Sequence, residues 1–367
     1  MATLFGGFYA GKTVLVTGHT GFKGSWLSIW LKELGAKVVG YALDQGGAKD
    51  NFVLAGLKDC MVDLRGDVRD FPKLVSALEA HEPDVVFHLA AQALVRPSYE
   101  SPRETFEQNV MGTVNVLEGI RRLRHPVTCI VVTSDKCYRN EEWVWGYREQ
   151  DPLGGHDPYS ASKGCAELVT GAYLQSFFNP ERVAMHGKSV ASARAGNVIG
   201  GGDWAKDRIV PDCIRALEAG KAIEVRNPRA RRPWQHVLEP LSGYLWLAAN
   251  LARDARAFSG AWNFGPAPES VVSVEDLVKM VLARYGNGSW VDTSDPDQPH
   301  EAQLLNLDCS KAHHRLNWRP SLRIEQCIEL TVDWYRSYAR RNAYDLCLEQ
   351  IGRYRDEAKR VGNRWAE

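Results

Sequence analysis

Two short clusters carry residue types able to move protons at a hydroxyl: Tyr159-Ser160-Ala161-Ser162-Lys163 and Thr133-Ser134-Asp135-Lys136. The i, i+4 spacing puts Tyr159 and Lys163 on one helix face. An ammonium there can hold a cofactor ribose and lower the phenol from its usual pKa of about 10 toward neutrality. Tyr159 so tuned takes the proton of a hydroxyl as hydride leaves the same carbon. Ser134 is placed to bond that hydroxyl. Asp135 and Lys136 form an acid and base pair whose proximity tunes both groups. Each cluster also suits a plain setting, a surface helix for the first and a solvated turn for the second, so the surroundings decide.

Upstream, Thr17-Gly18-His19-Thr20-Gly21-Phe22-Lys23-Gly24 joins an apolar run to a helical pattern. Glycines so spaced allow a tight turn and bring backbone against a pyrophosphate, whose charge rests on the helix N-terminus. Gly18 through Gly24 are therefore assigned to a dinucleotide. Asp44, 20 residues beyond Gly24, would accept from a ribose 2'-hydroxyl and repel a 2'-phosphate, which favours NAD over NADP. Asp67 and Val68 suit an adenine edge. Leu89, Ala90 and Ala91 leave room for a ribose close to backbone, with ordinary packing as the alternative for both sets of residues.

The elements that must position these groups follow from periodicity. Candidate strands at 13–17, 37–42, 60–63, 84–90, 127–133 and 189–194 alternate with helical patterns at 23–34, 71–80, 104–123 and 158–178. This rhythm predicts an α/β fold, a doubly wound parallel sheet of Rossmann type. Residues 1–195 are expected to bind NAD and carry the catalytic groups. Residues 196–367, with helical patterns at 209–219, 240–251, 274–285 and from 324 onward, are expected to form a smaller mixed α/β substrate-binding domain.

The 367 residues suffice for two such units. Lys and Arg number 45, as do Asp and Glu, so no overall field favours nucleic acid or an anionic membrane. Eight cysteines without a C-x-x-C pair read as reduced thiols of a cytoplasmic protein. The opening MATLFGGFYAGKTVLVTG lacks a basic n-region and a small-residue cleavage site, so no signal peptide is expected. Apolar stretches such as 244–252 are about half the ~18 residues that suggest a membrane span.

The motifs TGHTGFKG, HLAAQALVRPSYESP, TSDKCY, YSASK, RAGNVIGGGDW and RRPWQHV resemble those of extended short-chain dehydrogenase/reductases, and among them the nucleotide-sugar 4,6-dehydratases. The resemblance runs from Gly11 to about Tyr335. It implies that Tyr159 and Lys163 serve the redox step, that Ser134 stands where threonine is usual, and that Asp135 protonates a departing C6 hydroxyl. Lys136 departs from the glutamate many relatives use as C5 base. The Ser-Asp-Lys combination is similar to the branch acting on CDP-glucose, and the C5 base stays open between Lys136 and another group.

The same resemblance implies a redox-neutral cycle on NAD: oxidation at C4, loss of water across C5 and C6, and hydride return to C6. It assigns Asn197 and Arg232 to a substrate diphosphate and Arg208 and Ile209 to the nucleotide. Arg226, Arg229, Arg231 and Arg232 form a basic cluster of which at least two are expected to be exposed. Asn263 and His300 are further substrate candidates. Trp143 and Trp145 read either as a lid or as the core of a loop. The helices at 104–123 and 158–178 imply a homodimer. Rival readings are a nucleotide-sugar 4-epimerase, a 4,6-dehydratase for another hexose nucleotide, and a silent dinucleotide sensor.

Overall fold

The computed structural model describes residues 1, 3–44, 47–295 and 304–367. Seven strands form one sheet: β1 (Thr13–Thr17), β2 (Lys37–Ala42), β3 (Val62–Arg65), β4 (Val85–His88), β5 (Val127–Val132), β6 (Lys188–Arg194) and β7 (Gly260–Asn263). Their order is β7-β6-β5-β4-β1-β2-β3, and every pairing is parallel. The order turns back between β1 and β4, which leaves a crevice at the carboxyl ends of those strands.

Both faces of the sheet are buried, which is why its strands read as apolar runs without polar alternation. Val14, Val16, Val85, Phe87, Ile130 and Val132 face one core with Trp26 and Trp30 of helix α1 (Phe22–Glu33). Leu15, Val86, Cys129 and Val131 face the other. There they meet Leu74 and Leu78 of α2 (Phe71–His81), Leu117 and Ile120 of α3 (Gly112–Arg122), and Leu174 of α4 (Pro158–Ser176).

The helix read from 104 to 123 is interrupted. Pro102–Phe106 and α3 flank a π turn at Glu107–Met111, and such single turns often mark functional positions. Here it carries the buried Asn109, whose Nδ2 donates to Ser162 Oγ (2.8 Å) and to the Gln92 carbonyl (2.9 Å). The start of α4 is fixed locally: Pro158 occupies the first turn and the Asp157 carboxylate accepts from the Ser160 N–H at 2.9 Å.

Beyond residue 195 lie α5 (Ile209–Glu218), α6 (Leu238–Arg253), α7 (Val274–Tyr285), α8 (Ile324–Ser337) and α9 (Ala343–Arg360). Short ladders pair 198–199 with 235–236, 231–233 with 271–273, and 223–225 with 290–292. This half also supplies β7 and a covering layer, because α6 and α9 share the core of α1. Near the chain's end Trp365 stacks on Phe5 (5.0 Å) and Tyr354 (5.5 Å). No helix among the described residues is long and apolar enough to cross a membrane.

Candidate active site

A cavity of ≈ 770 Å³ opens at the carboxyl ends of the strands, within the range of small-molecule sites. The turn after β1 lines it with Gly18, Thr20, Gly21, Phe22, Lys23 and Gly24; Asp67, Val68, Leu89, Ala90 and Ala91 add the ends of β3 and β4. Gly24 can only be glycine, since a Cβ there would stand 2.1 Å from the Gly18 carbonyl oxygen. That close approach lets the turn fold back onto the start of α1 and bare its backbone N–H groups, a cradle that fits a dinucleotide pyrophosphate.

The five residues assigned to chemistry line the same cavity: Ser134, Asp135, Lys136, Tyr159 and Lys163. Ser134 lies two residues beyond the end of β5, at the N-cap of the short turn Asp135–Cys137, and organises its neighbours. Its hydroxyl donates to Asp135 Oδ1 (2.9 Å) and accepts from the Lys136 N–H (3.2 Å). Asp135 Oδ2 in turn accepts from Asn197 Nδ2 at 3.2 Å. Asn197 adopts a left-handed φ of 50°, a conformation asparagine tolerates better than most residues.

The expected influence of Lys163 on Tyr159 is not what the protein alone produces. Burial pushes the phenol up to about 12, with Asp135 adding to the rise and Ser134 and Arg208 opposing it. Lys163 instead donates to the Val132 carbonyl at 3.4 Å. Burial also lowers the Lys163 ammonium to about 8, against the pull of Glu167. Two buried groups with opposed charges each drift toward neutrality when water is removed.

The substrate half closes the far side of the cavity with Asn197, Arg208, Ile209, Arg226 and Arg232. Arg208 Nη1 donates to Asp203 (2.9 Å) and Arg226 Nη1 to Asp207 (2.7 Å). Arg229 and Arg231 are exposed and lie outside the lining.

The span 15–331 of the chain, which takes in the glycine turn, the catalytic helix and the arginine loop, matches the family described as GDP-mannose 4,6 dehydratase. The chain belongs to that family. The CDP-glucose 4,6-dehydratase of Salmonella typhimurium (strain LT2) is 50% identical over 344 residues, covering 94% of this chain and 96% of that protein. The dTDP-glucose 4,6-dehydratase of Streptomyces antibioticus is 32% identical over 278 residues, 74% of this chain and 76% of that protein. In fold, the chain is similar to the dTDP-glucose 4,6-dehydratase of Bacillus anthracis solved in complex with NAD, with a TM-score of 0.74 at 19% identity over 89% of this chain and 97% of that one.

Within this dehydratase-family fold, several expected site residues lie elsewhere. His19 is buried under β2, with Nε2 2.7 Å from Asp63 Oδ1 and its ring filling the space a Cβ on Gly40 would need; it does not line the cavity. Asp44 also falls outside the lining: its side chain is 89% exposed and pairs with Arg65 at 3.4 Å. Asn263 is fully buried at the end of β7. It donates to the Tyr147 and Asp308 carbonyls (2.8 and 3.1 Å) and accepts from the Tyr138 hydroxyl (2.8 Å), so its polar atoms are spent on folding the loop. Trp143 packs with Tyr138, Tyr147 and Leu305 in that loop's core, while Trp145 is 68% exposed, and neither lines the cavity. His300 lies outside the described residues.

Sequence reasoning also passed over residues that the site needs. A Cβ on Gly196 would stand 1.9 Å from Asp135 Oδ2, so this glycine makes room for the carboxylate. Asn109 ties the cofactor-side loop to the catalytic helix. Glu167, one turn beyond Lys163, is buried against Arg194 at 2.7 Å. Only the glycine in RAGNVIGGGDW gave a local signal.

Proposed function

We propose that the protein is a CDP-glucose 4,6-dehydratase, converting CDP-D-glucose to CDP-4-keto-6-deoxy-D-glucose and water with NAD. The observation that carries this reading is the meeting of Tyr159 and Asp135 through Ser134 in one cavity. A phenol for oxidation and a carboxyl for water loss flank one hydroxyl. A 4-epimerase needs the first but has no leaving hydroxyl for the second. The choice of cytidine is supported by the 50% identity to the Salmonella protein.

NAD would be held by the glycine cradle, where it would supply positive charge to lower the Tyr159 phenol and a hydride acceptor and donor for C4 and C6. Lys163 holds the ribose, and Ser134 orients the 4-hydroxyl toward Tyr159, which removes its proton. The resulting 4-ketone acidifies the C5 proton, which Lys136 or another base takes and which is replaced at C5 when hydride returns to C6. Asp135, steadied by Ser134 and Asn197, protonates the C6 oxygen and water leaves. Asp67 and Val68 face the adenine, Leu89, Ala90 and Ala91 a cofactor ribose, and Arg208, Ile209, Arg226 and Arg232 the nucleotide diphosphate, where guanidinium forks suit phosphate oxygens. Residues 1–195 thus carry cofactor and chemistry, and 196–367 mainly the nucleotide sugar.

Incubation with NAD and CDP-, dTDP-, UDP- or GDP-linked hexoses, read by mass spectrometry, tests this directly. Loss of one water from CDP-glucose alone is expected. Loss from another nucleotide sugar would void the cytidine assignment, and loss from none would overturn the reading. Asp135→Asn should slow water loss by about 10²-fold or more and let the 4-keto-glucose nucleotide accumulate. Equal slowing of oxidation and dehydration would refute the assigned division of labour.

The exposed Tyr99, Phe106, Met111 and Leu168, on helices packed beside one another, support a homodimer through this face. Sedimentation at the mass of one chain would overturn it. The eight free cysteines suit a reducing, cytoplasmic setting.

A further inference from the structure

One carboxylate holds two guanidiniums that come from opposite halves of the chain. Arg96 lies on the short helix Val95–Glu100 beyond β4, on the cofactor side, and Arg226 directly follows the strand Ile223–Val225 of the substrate half. Asp207, one residue ahead of the N-cap of α5, stands between them. Its Oδ1 accepts from Arg226 Nη1 at 2.7 Å and lies 3.5 Å from Arg96 Nη1. All three side chains line the cavity and each is 35–38% exposed. Asp207 has a left-handed φ of 64°. Few residues with a Cβ adopt that region, and those held there by their surroundings cluster at functional sites.

Two guanidiniums on one carboxylate leave the trio net positive. Half-exposed ion pairs contribute little, so both contacts break cheaply. Asp203 is the contrast: its buried carboxylate holds Arg208 at 2.9 Å and also accepts from the Ala205 N–H at 3.2 Å, while the Tyr335 hydroxyl donates to its carbonyl. That pair is fixed in place, whereas Asp207 is free to exchange. We propose that Asp207 is a placeholder for the substrate's diphosphate, gathering Arg96 and Arg226 around one oxygen until the diphosphate takes both over. The inference rests on the reading of Arg226 given above and adds Arg96 to the residues that hold the nucleotide sugar. A diphosphate diester brings two negative charges against the carboxylate's one, and guanidinium forks match its oxygens, so the exchange favours the substrate. The product bears the same diphosphate, and Asp207 competing for the arginines speeds its release.

Titration of the purified protein with CDP tests the exchange in four forms: native, Asp207→Asn, Arg96→Met and the double variant. Asparagine tolerates the left-handed region as well as aspartate does, so Asp207→Asn keeps the loop. It should bind CDP about three- to tenfold more tightly than the native protein. Arg96→Met should weaken CDP binding, and in that background Asp207→Asn should gain less. Arg96→Gln repeats the comparison if the Met variant folds poorly. A gain of the same size with and without Arg96 would show plain repulsion between carboxylate and phosphate and overturn the proposal. So would CDP affinity unchanged or lowered in Asp207→Asn, or unmoved by loss of Arg96. A native protein that binds none of CDP, UDP, dTDP and GDP would defeat the nucleotide-sugar reading itself, whereas native binding with an indifferent Asp207→Asn defeats the exchange alone.

Discussion

Tyr159→Phe should lower turnover by roughly 10²- to 10⁴-fold, the usual contribution of a positioned acid or base, while leaving dinucleotide binding close to native. The substitution removes one oxygen and keeps the ring that fills the wall of the cavity, so packing changes little. Burial already holds the phenol up at about 12 in the protein alone. Phenolate forms only when positive charge arrives beside it, which couples proton removal to cofactor binding. In the native enzyme with NAD bound, C4 oxidation should therefore switch on at a pH well below the value of about 12 that burial gives the phenol in the protein alone. The check is single-turnover absorbance of the reduced cofactor with CDP-glucose across pH, for both proteins, alongside a titration for affinity. Undiminished reduction in the Phe variant would exclude Tyr159 as the base. Lost dinucleotide affinity would move its role to holding the cofactor.

What was legible in the sequence is what local spacing controls. The turn Gly18–Gly24, the Tyr159–Lys163 pair and the Ser134–Lys136 run are each set by a few consecutive residues, and all reach the cavity except His19. Where a side chain does not line the cavity, the cause is tertiary. His19 sits within the glycine run, yet Asp63 on β3 and the bare Cα of Gly40 draw it beneath the sheet. Asp44 has the right interval after Gly24, but β2 ends at Ala42 and Arg65 at the end of β3 pairs with the carboxylate at the exposed rim. β7 is four residues long, begins with glycine and arrives 66 positions after β6; only its pairing with 191–194 makes it a strand. Asn263 ends that strand, so its hydrogen bonds go to the loop at 138–147 and to Asp308. Gly196 lies in the local run RAGNVIGGGDW, but the carboxylate that requires a glycine there is 61 positions away, so its purpose shows only in the fold.

Behind the catalytic helix, Arg194→Met should cost ~3–5 kcal/mol of stability, the range for leaving one member of a buried ion pair alone. Glu167 and Arg194 are each 3% exposed and 2.7 Å apart. The carboxylate also accepts from Thr133 Oγ1 and from Ser192 Oγ (2.7 Å), and Arg194 reaches the Tyr138 hydroxyl (2.6 Å) and the Glu149 carbonyl (3.1 Å). Burial alone would raise the Glu167 carboxyl, but Arg194 and the two hydroxyls outweigh it and hold the group below its usual range. A depressed carboxylate contributes its stability above the unfolded-state pKa of about 4.3 and loses it as pH falls through the lower folded-state value. Removing the guanidinium inverts this: the carboxyl would be buried unpaired, and Arg194→Met should be relieved, not further weakened, by mild acid. Glu167→Gln with Arg194→Met should cost less than the sum of the two changes, since neither charge is then stranded. Urea unfolding followed by tryptophan fluorescence for the four proteins, at neutral pH and near pH 5, reads each term. A single variant within about 1 kcal/mol of native would show that the pair contributes little. The network also bears on chemistry, because Glu167 is the group that most opposes the effect of burial on Lys163. Its loss should leave Lys163 less charged at neutral pH and weaken the grip on the cofactor ribose before the fold gives way.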